Sequence, residues 1–190
     1  MSTDSTQQSN IPKIEPEEIL EGILDWVEAE SPTTDKDAVN KVATKVEGLY
    51  EGLGLAIERT PGRDGFGDIV RARTENATGE KGILVLSHID TVHPIGVKDD
   101  ALKIRREGDI VYGPGIYDMK AGAYLPYYAY RHLQRLGRKT SLPVTFLYVS
   151  EEEVGSPISQ EIIEEEARKA KYVLVTEPAR DGGKVVVSRK

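Results

Sequence analysis

Gly82-Ile83-Leu84-Val85-Leu86-Ser87-His88-Ile89-Asp90 is the stretch on which the fold turns. Its apolar run does not alternate with polar residues, as expected of a strand covered on both faces. A tip carrying a histidine and an aspartate follows at once. The same pattern recurs twice. Phe146-Leu147-Tyr148-Val149 runs into Ser150-Glu151-Glu152-Glu153, and Tyr172-Val173-Leu174-Val175 runs into Thr176-Glu177-Pro178. These runs predict three buried strands, at 82–86, 144–149 and 172–175. His88, Glu152, Glu153 and Glu177 each follow such a run, and ligands of open α/β sheets bind at the carboxyl ends of strands.

Helical patterns lie around these strands. Ile19, Leu20, Ile23, Leu24 and Val27 recur at helical spacing, with Pro16 suited to a first turn and Pro32 as a breaker. Thr34 and Asp37 resemble a capping box. The stripe Val39, Val42, Val46, Leu49 and Leu53 follows it and ends at Gly52 and Gly54. Segments 55–58 and 68–73 read as partly exposed strands, and 110–112 as a short strand before a Gly-Pro-Gly turn. Helices are expected over 119–136, stopped by Gly137 and disturbed by Pro126, and over 156–168. A last strand is expected at 184–188. This alternation predicts a three-layer α/β sandwich with a mainly parallel mixed sheet over residues 16–190, behind a disordered polar tail, 1–15.

Composition narrows the function classes. At 190 residues the chain is long enough to bury a core. A net charge of −7 argues against a nucleic-acid partner, which needs a basic face. The chain has no cysteine, which removes disulfides, thiolate metal sites and cysteine nucleophiles. No apolar stretch approaches the ~20 residues of a membrane span. The polar N-terminus lacks the regions of a signal peptide, so a cytoplasmic protein is expected. There is neither a phosphate-binding Gly-rich loop with Lys-Ser/Thr nor a Gly-x-Ser-x-Gly elbow.

What remains is a mixed histidine–carboxylate set suited to zinc and its neighbours. His88 at a strand end can ligate through one ring nitrogen. Asp90, two residues on and pointing the same way, can hold the other nitrogen and fix the tautomer; the alternative is a loop histidine beside a turn aspartate. Asp118, in a Gly-rich turn entering a helix, fits either a bridging carboxylate or an N-cap. Lys120 opposes the helix dipole there, which points to a local reason for its presence. Glu151, Glu152 and Glu153 repel one another; cations would relieve this and one carboxylate could act as a base, or the run is a solvated acidic loop. Glu177 gains weight only from its company. His93 and His132 take the bland reading: His93 sits in a Pro-containing loop near the site, with substrate contact as the minor alternative, and His132 is a structural or exposed helix residue. Met119 with Tyr124, Tyr127, Tyr128 and Tyr130 reads as helix packing.

Ser-His-Ile-Asp-Thr-Val from Ser87, Gly-Pro-Gly-Ile-Tyr-Asp-Met-Lys-Ala-Gly from Gly113, Glu-Glu-Glu-Val-Gly-Ser from Glu151 and Thr-Glu-Pro-Ala from Thr176 occur in this order. Together they resemble the zinc-dependent carboxypeptidase and amidohydrolase family, nearest its glutamate carboxypeptidases, over about 68–178. The resemblance implies that His88 and Glu177 bind one zinc, Glu153 the other, and Asp118 bridges them. Glu152 would be the general base, Asp90 would orient His88, and the Asp118–Met119 peptide would be cis. It implies hydrolysis of an amide in a small peptide or N-acyl amino acid through a water held between two zinc ions, with cobalt or manganese as alternatives. It also implies that this chain is the N-terminal part of a longer catalytic domain, without the lid that serves dimerisation and substrate binding and without a final histidine ligand. The other reading is a non-catalytic metal-binding fragment that acts by association.

Overall fold

A computed structural model describes residues 12–75, 79–180 and 182–187. In chain order the elements are helices α1 (Pro16–Glu28) and α2 (Lys36–Glu51) and strands β1 (Ala56–Thr60), β2 (Ile69–Arg73) and β3 (Gly82–His88). A two-stranded hairpin follows, β4 (Arg105–Glu107) with β5 (Ile110–Tyr112), then an irregular helical turn, Ile116–Lys120, and helix α3 (Ala121–Arg135). Strand β6 (Val144–Val149), a short turn at Glu152–Val154, helix α4 (Gln160–Lys169) and strand β7 (Ala170–Val175) complete the order.

The main sheet runs β1-β2-β6-β3-β7. β3 is parallel to both β6 and β7, while β1–β2 and β2–β6 are antiparallel. Alternation along the strands divides their side chains between two cores. Val70, Ala72, Val85, Phe146 and Tyr148 join α1, α2 and α3 on one face. Ile69, Leu84, Leu147 and Val149 join Ile158 and the apolar side of α4 on the other. The expected three-layer sandwich with a mixed sheet is therefore present.

Local chemistry sets the ends of these elements. α1 starts with its proline in the first turn and buries Ile23, Trp26 and Val27. α2 is capped by Asp35, whose carboxylate accepts from Ala38 N at 3.0 Å, so the expected Thr34–Asp37 box is displaced by one residue. Regular helix α3 starts at Ala121 rather than at 119, because Asp118 and Met119 hold non-helical backbone angles. α4 starts at Gln160 rather than at 156.

Three strand expectations fail. The segment 68–73, expected to be partly exposed, is buried from Ile69 to Ala72. The run 172–175 is a strand but is not buried: Tyr172, Val173, Leu174 and Val175 are 45–53% exposed. β7 is the last strand of the sheet, so only β3 flanks it. Apolar composition states what could be covered, and position in the sheet decides what is. The stretch 184–188 forms no strand among its described residues. Lys184 makes one isolated bridge to Arg180, Val185–187 are exposed, and Ser188 lies outside the described residues. So does most of the expected tail, 1–11. Among the described residues no helix is long and apolar enough to cross a membrane.

The larger core is aromatic. Trp26 meets Tyr124 and Tyr148 edge-on, at centroid distances of 5.5 and 6.1 Å. Tyr148 donates its hydroxyl hydrogen to Ala123 O at 2.9 Å, which leaves its oxygen to accept from the Tyr50 hydroxyl at 2.8 Å. This order makes the two hydroxyls unequal. Tyr148→Phe strands the buried Tyr50 hydroxyl and should lower stability by about 1–3 kcal/mol, whereas Tyr50→Phe leaves Tyr148 paired and should cost about 1 kcal/mol. Urea unfolding of the two variants checks the ranking.

Candidate metal centre

Three parallel strands end side by side, and the site is built where they stop. The register pairs His88 with Val149 across β3–β6, and Leu86 with Val175 across β3–β7. Thr176 N donates to Leu86 O at 3.1 Å, and the hydroxyls of Ser87 and Thr176 lie 2.7 Å apart. His88 at the last position of β3, Glu152 with Glu153 beyond β6, and Glu177 beyond β7 are therefore delivered to one place.

Asp118 arrives from the turn after the hairpin. Gly115 opens that turn with φ +65°, and a Cβ there would stand 2.3 Å from Thr91 Cγ2, so glycine is required. Lys120 N donates to Gly115 O at 2.9 Å. The Lys120 side chain is fully buried, and its ammonium donates to Trp26 O at 3.0 Å, in the last turn of α1. That carbonyl belongs to the negative end of the helix, which is the local reason for a lysine here. The Asp118–Met119 peptide is cis, as the resemblance implies. Asp118 is not an N-cap: Gly115 precedes the turn and Lys120 precedes α3.

The two nitrogens of the buried His88 ring face different company. Nδ1 lies 3.0 Å from Asp90 O and 3.3 Å from Asp90 Oδ1. Nε2 lies 3.1 Å from Asp118 Oδ1, 3.5 Å from Glu177 Oε1 and 3.8 Å from Glu152 Oε2. Two trios have ligand atoms within 4.8 Å of one another: His88 with Glu152 and Glu177, and His88 with Asp118 and Glu153. The structure thus brings together every residue expected at the site, and it sets Glu152 as near to His88 as a ligand would be.

Of the three glutamates after β6, Glu151 turns inward. It is fully buried and accepts from Ser150 N, Ser150 Oγ, Ile158 N and Ser159 N, at the start of α4. Asp90, also fully buried, accepts from Glu152 N and Glu153 N, each at 3.2 Å, and from the Thr33 hydroxyl at 2.7 Å. Thr33 carries no sequence signal: nothing in Glu30-Ser31-Pro32-Thr33 separates it from ordinary turn chemistry. His93 and His132 stand outside both trios, and His132 stacks on Tyr128.

The charge balance suits a cation. Burial opposes charging His88, but Asp90, Glu177 and Glu152 outweigh it and raise the ring to about 9. Burial, reinforced by Asp118, Asp90 and Glu152 against the counter-effect of His88, raises Glu153 to about 7. Five carboxylates around one imidazole leave the cluster short of positive charge. Nδ1 is turned to Asp90, so Nε2 is the nitrogen that faces the carboxylates. These residues fit a divalent cation.

Comparison with known proteins agrees. The profile of Peptidase family M20/M25/M40 matches residues 84–189, more than half of the chain. The chain belongs to this family of metal-dependent peptidases. Carboxypeptidase G2 of Pseudomonas sp. (strain RS-16) is 32% identical over 165 residues, which cover 86% of this chain and 39% of that protein. The structure of human carnosine dipeptidase 1 superposes with a TM-score of 0.74 at 15% identity, over 86% of this chain and 39% of the other. A metallo-carboxypeptidase from Sulfolobus solfataricus gives 0.70 at 22%, over 85% and 38%. At such identities the structural matches speak for the fold alone. The chain spans about 39% of the length of the relative it matches in sequence.

Glu153 gives the site a pH signature. In the metal-free protein its proton is held more tightly folded (about 7) than unfolded (4.5), so folded-state stability drains away as pH rises between these values. His88, raised from 6.5 to about 9, adds a loss of the same sign from about pH 6.5 upward. Lys120, which burial lowers to about 7, adds the opposite slope only above that pH. The melting temperature of the metal-free protein should therefore fall between about pH 5 and 7, and Glu153→Gln should flatten the fall. Circular-dichroism melts of both proteins check this.

Proposed function

We propose that this site is the centre of a two-metal amide hydrolase that acts on a small peptide, as a glutamate carboxypeptidase does, or on an N-acyl amino acid. One observation carries the reading: Nε2 of a single buried histidine faces Asp118, Glu152 and Glu177, while Asp90 holds its other nitrogen. Membership of the peptidase family and the likeness to carboxypeptidase G2 support the reaction class.

In this reading His88 and Glu177 would hold one cation and Glu153 the other, with Asp118 serving both. Zinc suits this nitrogen and oxygen set, and cobalt and manganese compete for it. Cations held by these residues would supply acidification of a water and stabilisation of the developing oxyanion of the amide. The chain's own residues do the rest. Glu152, 47% exposed at its side chain, takes a proton from the attacking water and delivers it to the leaving nitrogen. Asp90 keeps the imidazole in one orientation, and its bonds to the amides of Glu152 and Glu153 hold base and ligand at a fixed distance from the ring. A cleft of about 830 Å³, lined by His88, Tyr117, Asp118, Glu152, Glu177 and Arg180 among others, offers room for a dipeptide-sized substrate beside them.

The separation of base from ligand is testable. Glu152→Ala should retain zinc and lose turnover of C-terminal glutamate peptides and N-acyl amino acids by about 10²-fold or more, whereas His88→Ala should lose the metal. Metal analysis of the purified variants beside their assays checks this, and the opposite pattern overturns the role assignment. Zinc uptake by the unaltered chain without turnover of either substrate class would favour the metal-binding fragment instead.

A further inference from the structure

The Asp90 carboxylate has about four lone-pair positions and four polar hydrogens in reach. Oδ1 faces Glu152 N at 3.2 Å and, at 3.3 Å, shares the His88 Nδ1 hydrogen with Asp90 O at 3.0 Å, and Oδ2 faces Glu153 N at 3.2 Å and Thr33 Oγ1 at 2.7 Å. Three of the four donors belong to the cluster itself. The fourth and shortest comes from outside it, from the segment that follows α1. A hydroxyl has one hydrogen to give, and the charged oxygen at 2.7 Å wins it over Thr91 O at 3.5 Å.

That segment is clipped to the site by more than the hydroxyl. Residues 31–33 run beside 89–91: Thr91 N donates to Ser31 O at 2.8 Å, Thr33 N to Thr91 O at 3.2 Å, and Ser31 Oγ to Ile89 O at 2.7 Å. Ser31 and Thr33 are both buried and both donate across the same seam. Ser31 serves a backbone carbonyl, whereas Thr33 serves the carboxylate that faces His88.

We propose that Thr33 is a positioning residue of the metal centre: its hydroxyl fixes the rotation of the Asp90 carboxylate, and through it the His88 ring and the backbone of Glu152 and Glu153. Without it, Oδ2 keeps one weak amide bond and the carboxylate turns within its pocket. The ring nitrogen and the two amides on Oδ1 and Oδ2 then lose their common reference, and the ligand atoms spread. The inference rests on the metal-centre reading above and adds to it a residue that approaches no cation.

The test titrates Co²⁺, whose visible absorption reports coordination geometry, into the unaltered chain and into Thr33→Val, Thr33→Ser and Ser31→Ala. Partners behind a metal ligand typically alter metal affinity ~10–100-fold. Thr33→Val should weaken Co²⁺ binding by about 10-fold and change the intensity of the visible bands. Thr33→Ser, which keeps the hydroxyl, should restore both. Ser31→Ala should lower the melting temperature but leave affinity within about 2-fold. If the valine variant does not fold, Thr33→Cys, a weaker donor, takes its place. Unaltered affinity in Thr33→Val, or an equal loss in Ser31→Ala, overturns the proposal and leaves Thr33 as packing. Failure of the unaltered chain to bind Co²⁺ overturns instead the metal-centre reading beneath it.

Discussion

A fully buried carboxylate, that of Asp90, is the interaction on which the site depends. An ionised group taken out of water is tolerated only when its lone pairs are satisfied. Here the donors come from Thr33, His88, Glu152 and Glu153, and three of the four are 57–63 residues away in the chain. These three bonds require β3 to be paired with β6 and the segment after α1 to be docked. Folding and assembly of the centre are therefore one event. The sheet does not carry a site attached at its rim; the rim closes around this charge.

The parallel pairings supply the other half of the constraint. β3 lies between β6 and β7, and the three strands end together. Negative groups that repel one another are thus brought to one spot by backbone hydrogen bonds that are indifferent to charge. The carboxylates raise His88 against its burial, while Glu153 is raised first by burial and then by its acidic neighbours. Lys120 completes the arrangement from below. Its buried ammonium ties the Asp118 turn to the end of α1, the helix whose exit also carries Thr33.

Much of this was legible in the residues. Ile83 to Leu86 and Val144 to Val149 announced strands covered on both faces, and the two-residue spacing of His88 and Asp90 announced a ring with its support. The strand at 172–175 was legible as a strand but not as an edge, because neighbours in a sheet are chosen by pairings far along the chain. Only the resemblance told Glu151 from Glu152 and Glu153; residue chemistry could not, since its partners at 158 and 159 depend on how α4 starts. Thr33 was invisible for the same reason. A hydroxyl gains meaning from the acceptor it meets, and no periodicity encodes a meeting 57 residues away.

β3 also acts as a ruler. It is paired on both sides at once, from Ile83 to His88 with β6 and from Gly82 to Leu86 with β7. Side chains alternate between faces, so the strand counts in twos. A one-residue insertion or deletion inside it would exchange the places of Ser87 and His88. β6 cannot slip to compensate, because β2 grips its other edge. Changes in chain length at the opposite rim of the sheet, where Lys81 leads into β3 and Pro143 into β6, leave this count untouched. An insertion there would leave the distance from the strand to the imidazole unchanged.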